Sequence, residues 1–407
     1  MSLTRSALAM AGLGTLISWR PRWTRRYPAQ TREAISRDRK GLPNIDMGPR
    51  EAARAAMEWL KRAQDCSASS DGGVSRHYSL VDGWATSYPE TTGYIVPTLI
   101  EASLFLKDSE LLSRARRMLD WLLSIQFLDG GFPGGRIDQN PAVPVTFNTG
   151  QILLGLAAGA KAFGDPKYLE GARRAARFLV DSQDADGAWR RNASPFAEPG
   201  EKSYDTHVAW SLFEAGRVAH GEGFELAGLR QVRWAISRML PNGWFLDNCL
   251  DEGEPFTHTI GYALRGIIEA YRFSNDPQFL NAALRTSTAI EARLETDGRL
   301  AGRFDRNWRP AASFSCLTGS VQIAACWFLL GRITGEPKYE AFARRANAYV
   351  RRTVHIDGDP GTAGGVKGSH PIDGDYGRFQ YLNWAAKFFI DSNLMELSLG
   401  ADNGPAG

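Results

Sequence analysis

An Asp-Gly or Asn-Gly pair recurs six times along the chain: Asp71-Gly72, Asp129-Gly130, Asp186-Gly187, Asn242-Gly243, Asp297-Gly298 and Asp357-Gly358. The interval is roughly 55 to 60 residues, the signature of a repeated supersecondary unit that cannot bury its apolar face alone. Each pair follows an amphipathic stretch rich in Arg, Ala and Leu, such as PKYLEGARRAARFLVDSQ from Pro166 and PQFLNAALRTSTAIEARLE from Pro277. Asp165-Pro166, Asp276-Pro277 and Glu336-Pro337 supply start signals, and the Asx-Gly pair reads as the stop. A loop of roughly 15 to 30 residues comes next, and then a more uniformly apolar segment, for example GYIVPTLIEASLFL, TGQILLGLAAGAKAF or LTGSVQIAACWFLLG. A helix apolar around most of its circumference is buried on both sides. Outer and inner helices thus alternate in six hairpins, which predicts an all-α fold, an (α/α)6 toroid. The expected boundaries are a partly ordered N-terminal extension at 1–44, the toroid at 45–395 and a flexible tail at 396–407.

A chain of 407 residues, 43% hydrophobic, can bury one large repeat domain. Its net charge of +3 is too mild to require a nucleic-acid partner, and the Arg clusters recur on the outer helices, as a solvated face does. Cys66, Cys249, Cys316 and Cys326 form neither a CxxC pair nor a disulfide framework. The N-terminal MSLTRSALAMAGLGTLISWRPRWTRR imitates a secretory signal, but it has no small-x-small cleavage site and its apolar part is too short to span a bilayer. The expected location is the cytoplasm, with the periplasm as the alternative if that segment acts as a signal. No transmembrane segment is expected.

Every long loop runs from an outer to an inner helix, so all of them gather on one face; the short connections gather on the other. Loops longer than about 12 residues in a compact domain are usually functional. The inner helices open on Glu90-Thr91-Thr92, Asn148-Thr149-Gly150, Asp205-Thr206-His207, His258-Thr259-Ile260, Leu317-Thr318-Gly319 and Asn383-Trp384. A polar residue followed by Thr suits a helix N-terminus, whose first N–H groups lack partners. Capping explains any one of these residues. Convergence of the N-termini on one mouth also creates a site for an anionic or polyhydroxylated ligand, and both readings of Glu90 stay open.

The period, the toroid and the loop placement resemble the six-hairpin glycosidase superfamily, which includes glycoside hydrolases, sugar epimerases and polysaccharide lyases. SYPETTGYIVPTLIEA, FNTGQILLGL and GGVKGSHPIDGDYGRFQYLNWAAKFFIDS are similar to proteins of bacterial exopolysaccharide biosynthesis clusters. That similarity implies a pathway more than a reaction; the expected partner is an oligosaccharide or polysaccharide, acidic and in one version lipid-linked, and no cofactor is expected. FLVDSQDADGAW and WLLSIQFLDGGF also resemble the QW repeat of triterpene cyclases, in which Gln ties off an outer helix and Trp stacks over it. The acid motif DxDD of those enzymes is missing, and SFSCLTGSVQIA lacks the Asp two residues before Cys316 that prenyltransferase β subunits place there.

Aromatic rings with carboxylates and Arg in one mouth are what pyranose recognition needs, since C–H faces stack on rings while hydroxyls seek charged acceptors. The catalytic candidates are Glu90, Asp205, His207, His258 and Asp375. The substrate-binding candidates are His77, Trp84, Tyr88, Tyr94, Asn148, Tyr204, Trp244, Tyr262, Arg378, Tyr381 and Asn383. Glycoside hydrolysis needs two carboxyl groups about 5 to 10 Å apart, for which Glu90 pairs with Asp205 or Asp375. Uronate lyase or epimerase chemistry needs a base (His207 or His258), a neutraliser of the substrate carboxylate (Arg378) and an acid (Tyr262 or Tyr88). A non-catalytic glycan-binding role would use only the aromatics and Arg. Six histidines without HxxxH or HxH spacing give no metal site.

Overall fold

A computed structural model describes residues 27–195 and 197–401. The apolar segment near the N-terminus lies outside the described residues. Helix α1 (Ala29–Asp38) precedes an outer ring of α2 (Pro49–Asp65), α4 (Glu110–Ser124), α6 (Pro166–Ser182), α8 (Phe224–Ser237), α10 (Pro277–Glu291) and α12 (Pro337–Arg351). The inner ring is α3 (Pro89–Leu106), α5 (Thr146–Phe163), α7 (Thr206–Val218), α9 (Thr257–Ser274), α11 (Leu317–Thr334) and α13 (Asn383–Ala401). Each inner helix packs on the next and α13 packs on α3, so the ring is closed. Five inner helices pair with the outer helix that follows them, whereas α13 pairs with α2 from the other end of the chain. The sixth hairpin is therefore made from both ends, and ring closure depends on them together. By composition α11 is apolar enough to cross a membrane, but 83% of it is buried inside the protein, as an inner helix requires.

The Asx-Gly pairs are turns a few residues beyond the outer helices, and so lie past the stop that the sequence suggests. In five of them the Asx oxygen accepts the N–H two residues on, from Asp71 to Gly73 at 3.0 Å through Asp297 to Arg299 at 3.0 Å. All six glycines have positive φ. At Gly130 and Gly298 a Cβ would also lie 2.3 and 2.1 Å from the carbonyl oxygens of Arg174 and Arg345 on the next outer helix, so only glycine fits. Gln64, Gln126 and Gln183 donate to the carbonyls of Gly72, Gly130 and Gly187, and also reach the adjacent outer helix. With Trp189 Nε1 donating to Leu179 O at 2.8 Å, the Gln and Trp of the QW-like motif serve structure.

No side chain caps α3, α5, α7, α9 or α11, contrary to the capping expectation. Two of the junction threonines instead hold the loops: Thr92 and Thr149 accept the N–H groups of Val74 and Phe132, each at 3.0 Å. Short strands tie the loops to one another across the mouth. β1 (His77–Ser79) pairs with both β2 (Gly83–Trp84) and β5 (Gln380–Leu382), and β3 (Ser315–Cys316) pairs with β4 (Ser369–His370). Helix α1 is fastened to the sixth loop by a buried ion pair, Lys367 Nζ to Asp38 Oδ1 at 2.6 Å.

Helices α3 and α5 approach closely where neither carries a side chain. A Cβ on Gly93 would lie 2.4 Å from Ile152 Cα, and one on Gly155 would lie 2.2 Å from Gly93 O. Because both obstacles are backbone, Gly155→Ala is expected to cost at least about 1–3 kcal/mol, read as a lower urea midpoint. An unchanged midpoint would show that the inner ring yields at this crossing.

Candidate active site

At the long-loop face the inner-helix N-termini enclose a cavity of about 780 Å³, counted to its open mouth. Tyr88, Glu90 and Tyr94 enter from the start of α3, Phe147 and Asn148 from α5, Tyr204 from the turn before α7, His258, Thr259 and Tyr262 from α9, and Trp384 from α13. Loops add Arg76, Ser194, Ala197, Leu250 and Tyr376. Five of the six inner-helix N-termini therefore reach the cavity; that of α11 does not, and Tyr376 lines it from the sixth loop.

Glu90 is the one carboxyl among the described lining residues. It accepts a hydrogen bond from Tyr88 Oη at 3.0 Å, and burial pushes its pKa up to about 7, against the opposing effects of Tyr88 and of the Arg76 charge. His258 is buried and neutral, its pKa lowered to about 4 by desolvation, with Nδ1 2.8 Å from Gln322 Oε1. Arg76 stacks over Trp384 at 4.9 Å and reaches His77 Nδ1 at 2.9 Å and Gln380 Oε1 at 3.3 Å. It makes no ion pair among the described residues, so a guanidinium with no anionic partner faces the cavity. Burial raises the phenols of Tyr88, Tyr94, Tyr204, Tyr262 and Tyr376, which stay protonated as donors. Tyr94 and Tyr262 meet hydroxyl to hydroxyl at 3.4 Å, and Trp384 Nε1 donates to Tyr376 Oη at 2.8 Å.

Seven of the residues singled out in the sequence come together here: Tyr88, Glu90, Tyr94, Asn148, Tyr204, His258 and Tyr262. The others lie around or behind the cavity. Asp205 is buried one residue from Tyr204 with its pKa raised to about 8 by desolvation, but it is not a lining residue. His207 sits behind Tyr262 at a ring separation of 4.5 Å, with Nδ1 2.7 Å from Gln151 Oε1. His77 and Tyr381 face each other's strands in the small sheet, where His77 pairs with Leu382 and Tyr381 with Tyr78. Trp84 packs on Trp59 and Tyr78, and Trp244 on Trp308. Asn383 is buried and donates to Ser75 O at 2.9 Å. Asp375 and Arg378 are exposed, and Arg378 Nε donates to Asp373 O at 3.1 Å. Arg76 thus takes the place in the cavity that the sequence suggested for Arg378. Among the described residues no group of three or more His, Cys, Asp or Glu is arranged to hold a metal ion.

A closed ring of six helical hairpins is an (α/α)6 toroid, and solved structures bear this out at the level of fold. An unsaturated glucuronyl hydrolase specific for heparin superposes with a TM-score of 0.70 at 16% identity, over 87% of this chain and 98% of that one. Cellobiose 2-epimerase from Bacillus thermoamylovorans gives 0.67 at 14% identity, over 88% and 98%. A D-mannose isomerase gives 0.68 at 11% identity, over 88% and 100%. By sequence, the chain matches no family profile and no curated protein.

Proposed function

We propose that the chain is a carbohydrate-active enzyme that moves a proton on and off an anionic sugar, by uronate lyase or epimerase chemistry. The observation that carries this reading is one cavity holding a carboxyl pushed up to about 7, a neutral imidazole and a guanidinium without an anionic partner. In this scheme Arg76 draws in the sugar carboxylate and stabilises the charge that develops when His258 Nε2 removes the proton from the adjacent carbon. In a lyase the electron pair of that C–H bond forms the new C=C bond, and the leaving oxygen takes a proton from the Glu90 carboxylic acid or from Tyr88. In an epimerase His258 keeps that proton and the Glu90 carboxylic acid delivers another to the opposite face of the same carbon. The rings of Tyr88, Tyr262 and Trp384 provide the stacking surface. The names of the fold relatives, a glucuronyl hydrolase, a cellobiose epimerase and a mannose isomerase, are consistent with a carbohydrate substrate.

Glycoside hydrolysis is the second reading, favoured by Asp205: it is a buried carboxyl raised to about 8, next in the chain to the lining Tyr204. Incubation with acidic and neutral oligosaccharides in D2O separates the possibilities. Deuterium at a sugar carbon, or ultraviolet absorbance from a new C=C bond, supports proton transfer. New reducing ends with neither signal would point to hydrolysis, and binding without turnover to a glycan-binding role. The proposed setting is bacterial exopolysaccharide assembly in the cytoplasm, on a polysaccharide or its lipid-linked precursor. It rests on the similarity of the segments around Glu90, Asn148 and Asn383 to proteins of such clusters, and polymer length and composition in a gene deletion test it.

A further inference from the structure

Two neutral imidazoles flank Tyr262, with ring centroids at 4.5 Å for His207 and 4.4 Å for His258. Each is held by a glutamine of the neighbouring inner helix: His207 by Gln151 at 2.7 Å and His258 by Gln322 at 2.8 Å, both through Nδ1. The pairs differ in what the other ring nitrogen meets. His207 Nε2 is buried without a hydrogen-bond partner among the described residues, and its ring does not line the cavity. His258 lines the cavity, and its Nε2, unlike that of His207, is not among the buried side-chain atoms left without a partner. A neutral imidazole carries one ring proton, so the nitrogen that donates to the glutamine oxygen leaves the other as a bare lone pair.

We propose that Gln322 is a positioning residue that fixes His258 as the Nδ1–H tautomer, presenting the Nε2 lone pair to the bound sugar as the base. This rests on the proton-transfer reading of the cavity. Three features of the site favour it. An amide oxygen accepts the Nδ1 proton without adding charge, whereas a carboxylate in its place would favour the imidazolium and remove the lone pair. The opposite amide orientation would put the proton on Nε2 and leave the cavity with no imidazole base. Gly261, on the same helix as His258, makes room for the glutamine: a Cβ there would meet Gln322 Cβ at 2.8 Å and Oε1 at 3.0 Å. The tautomer is thus set by three residues, His258, Gln322 and Gly261, of which Gln322 and Gly261 are not cavity-lining.

The test is a long-range nitrogen–proton correlation spectrum of the ¹⁵N-labelled full-length protein near neutral pH, with the His258 signal assigned by its loss in His258→Phe. The expected result is a protonated Nδ1 and an unprotonated Nε2 at His258; the reverse pattern overturns the assignment without reference to activity. Gln322→Met should mix the two tautomers and lower kcat by about tenfold or more, with little change in KM, as loss of a group that orients another does. Gln322→Glu, which puts a carboxylate against Nδ1, should instead shift His258 toward the imidazolium, with both ring nitrogens protonated, and should not restore turnover. A Gln322→Met protein that keeps both the Nδ1–H signal and full turnover would sink the proposal. Full turnover in His258→Phe would instead defeat the underlying proton-transfer reading, while the spectrum of the unaltered protein still decides what Gln322 does.

Discussion

Glu90→Gln is expected to lower turnover by a factor of about 100 or more while the melting temperature at pH 8 holds or rises. The two effects have one cause. Burial carries the Glu90 pKa from an ordinary 4.5 to about 7, which keeps a proton available for transfer and makes the ionised form costly to bury. Because the folded pKa lies above the unfolded one, this group leaves stability intact below about pH 4.5 and subtracts from it as pH rises through about 7. The full penalty above that range is on the order of 3 kcal/mol, and glutamine, which cannot ionise, removes it. Glu90 caps no helix, so the substitution removes no capping bond. Melting curves of both proteins at pH 4 and pH 8 should therefore converge at the acid end and separate at the alkaline end. Unchanged turnover would reduce Glu90 to a structural carboxyl and shift attention to Asp205.

Arg76→Met is expected to raise KM for acidic oligosaccharides by about 10- to 100-fold, the value of a charge-assisted hydrogen bond, and to leave KM for neutral ones nearly unchanged. Its hydrogen-bonding and stacking neighbours, His77, Gln380 and the rings of Trp384 and Tyr88, are not anionic; its charge also holds the Glu90 pKa down against burial, so that pKa should rise further in Arg76→Met. Arg76→Lys keeps the charge and loses the planar fork and the stacking, and should fall between the two. Equal losses for acidic and neutral sugars would show that Arg76 organises the first loop and does not read a substrate charge.

The ring was legible in the sequence because the Asx-Gly turns, each with a left-handed glycine and five of the six set against the next outer helix, mark every repeat. Which inner helix pairs with which outer helix was not legible, since α13 closes on α2 through contacts that no local pattern records. In the site, the residues found were those in or near the first turns of inner helices, where the fold dictates direction: Glu90, Asn148, His258 and Tyr262. Irregular loops gave composition without orientation. Successive residues of extended chain point to opposite faces, so with Arg76 lining the cavity, His77 goes to the sheet. Adjacent residues also part at the bend of the sixth loop, where Tyr376 lines the cavity while Asp375 is exposed, and in the first turn of α13, where Trp384 lines it while Asn383 is buried against Ser75. Gln322 was hidden for another reason: a polar residue on the most apolar inner helix has meaning only once His258 is seen opposite it.

The most direct measurement is a crystal structure of the inactive Glu90→Gln protein soaked with an acidic oligosaccharide. The account predicts the sugar in the mouth cavity, its carboxylate bonded to Arg76, its ring against Tyr88 or Trp384, and the carbon beside the carboxylate facing His258 Nε2. A second cavity lies at the other end of the ring beyond Tyr94, lined by Trp210, Arg265 and Lys387. An oligosaccharide bound there, or one in the mouth with its carboxylate turned away from Arg76, would contradict the account.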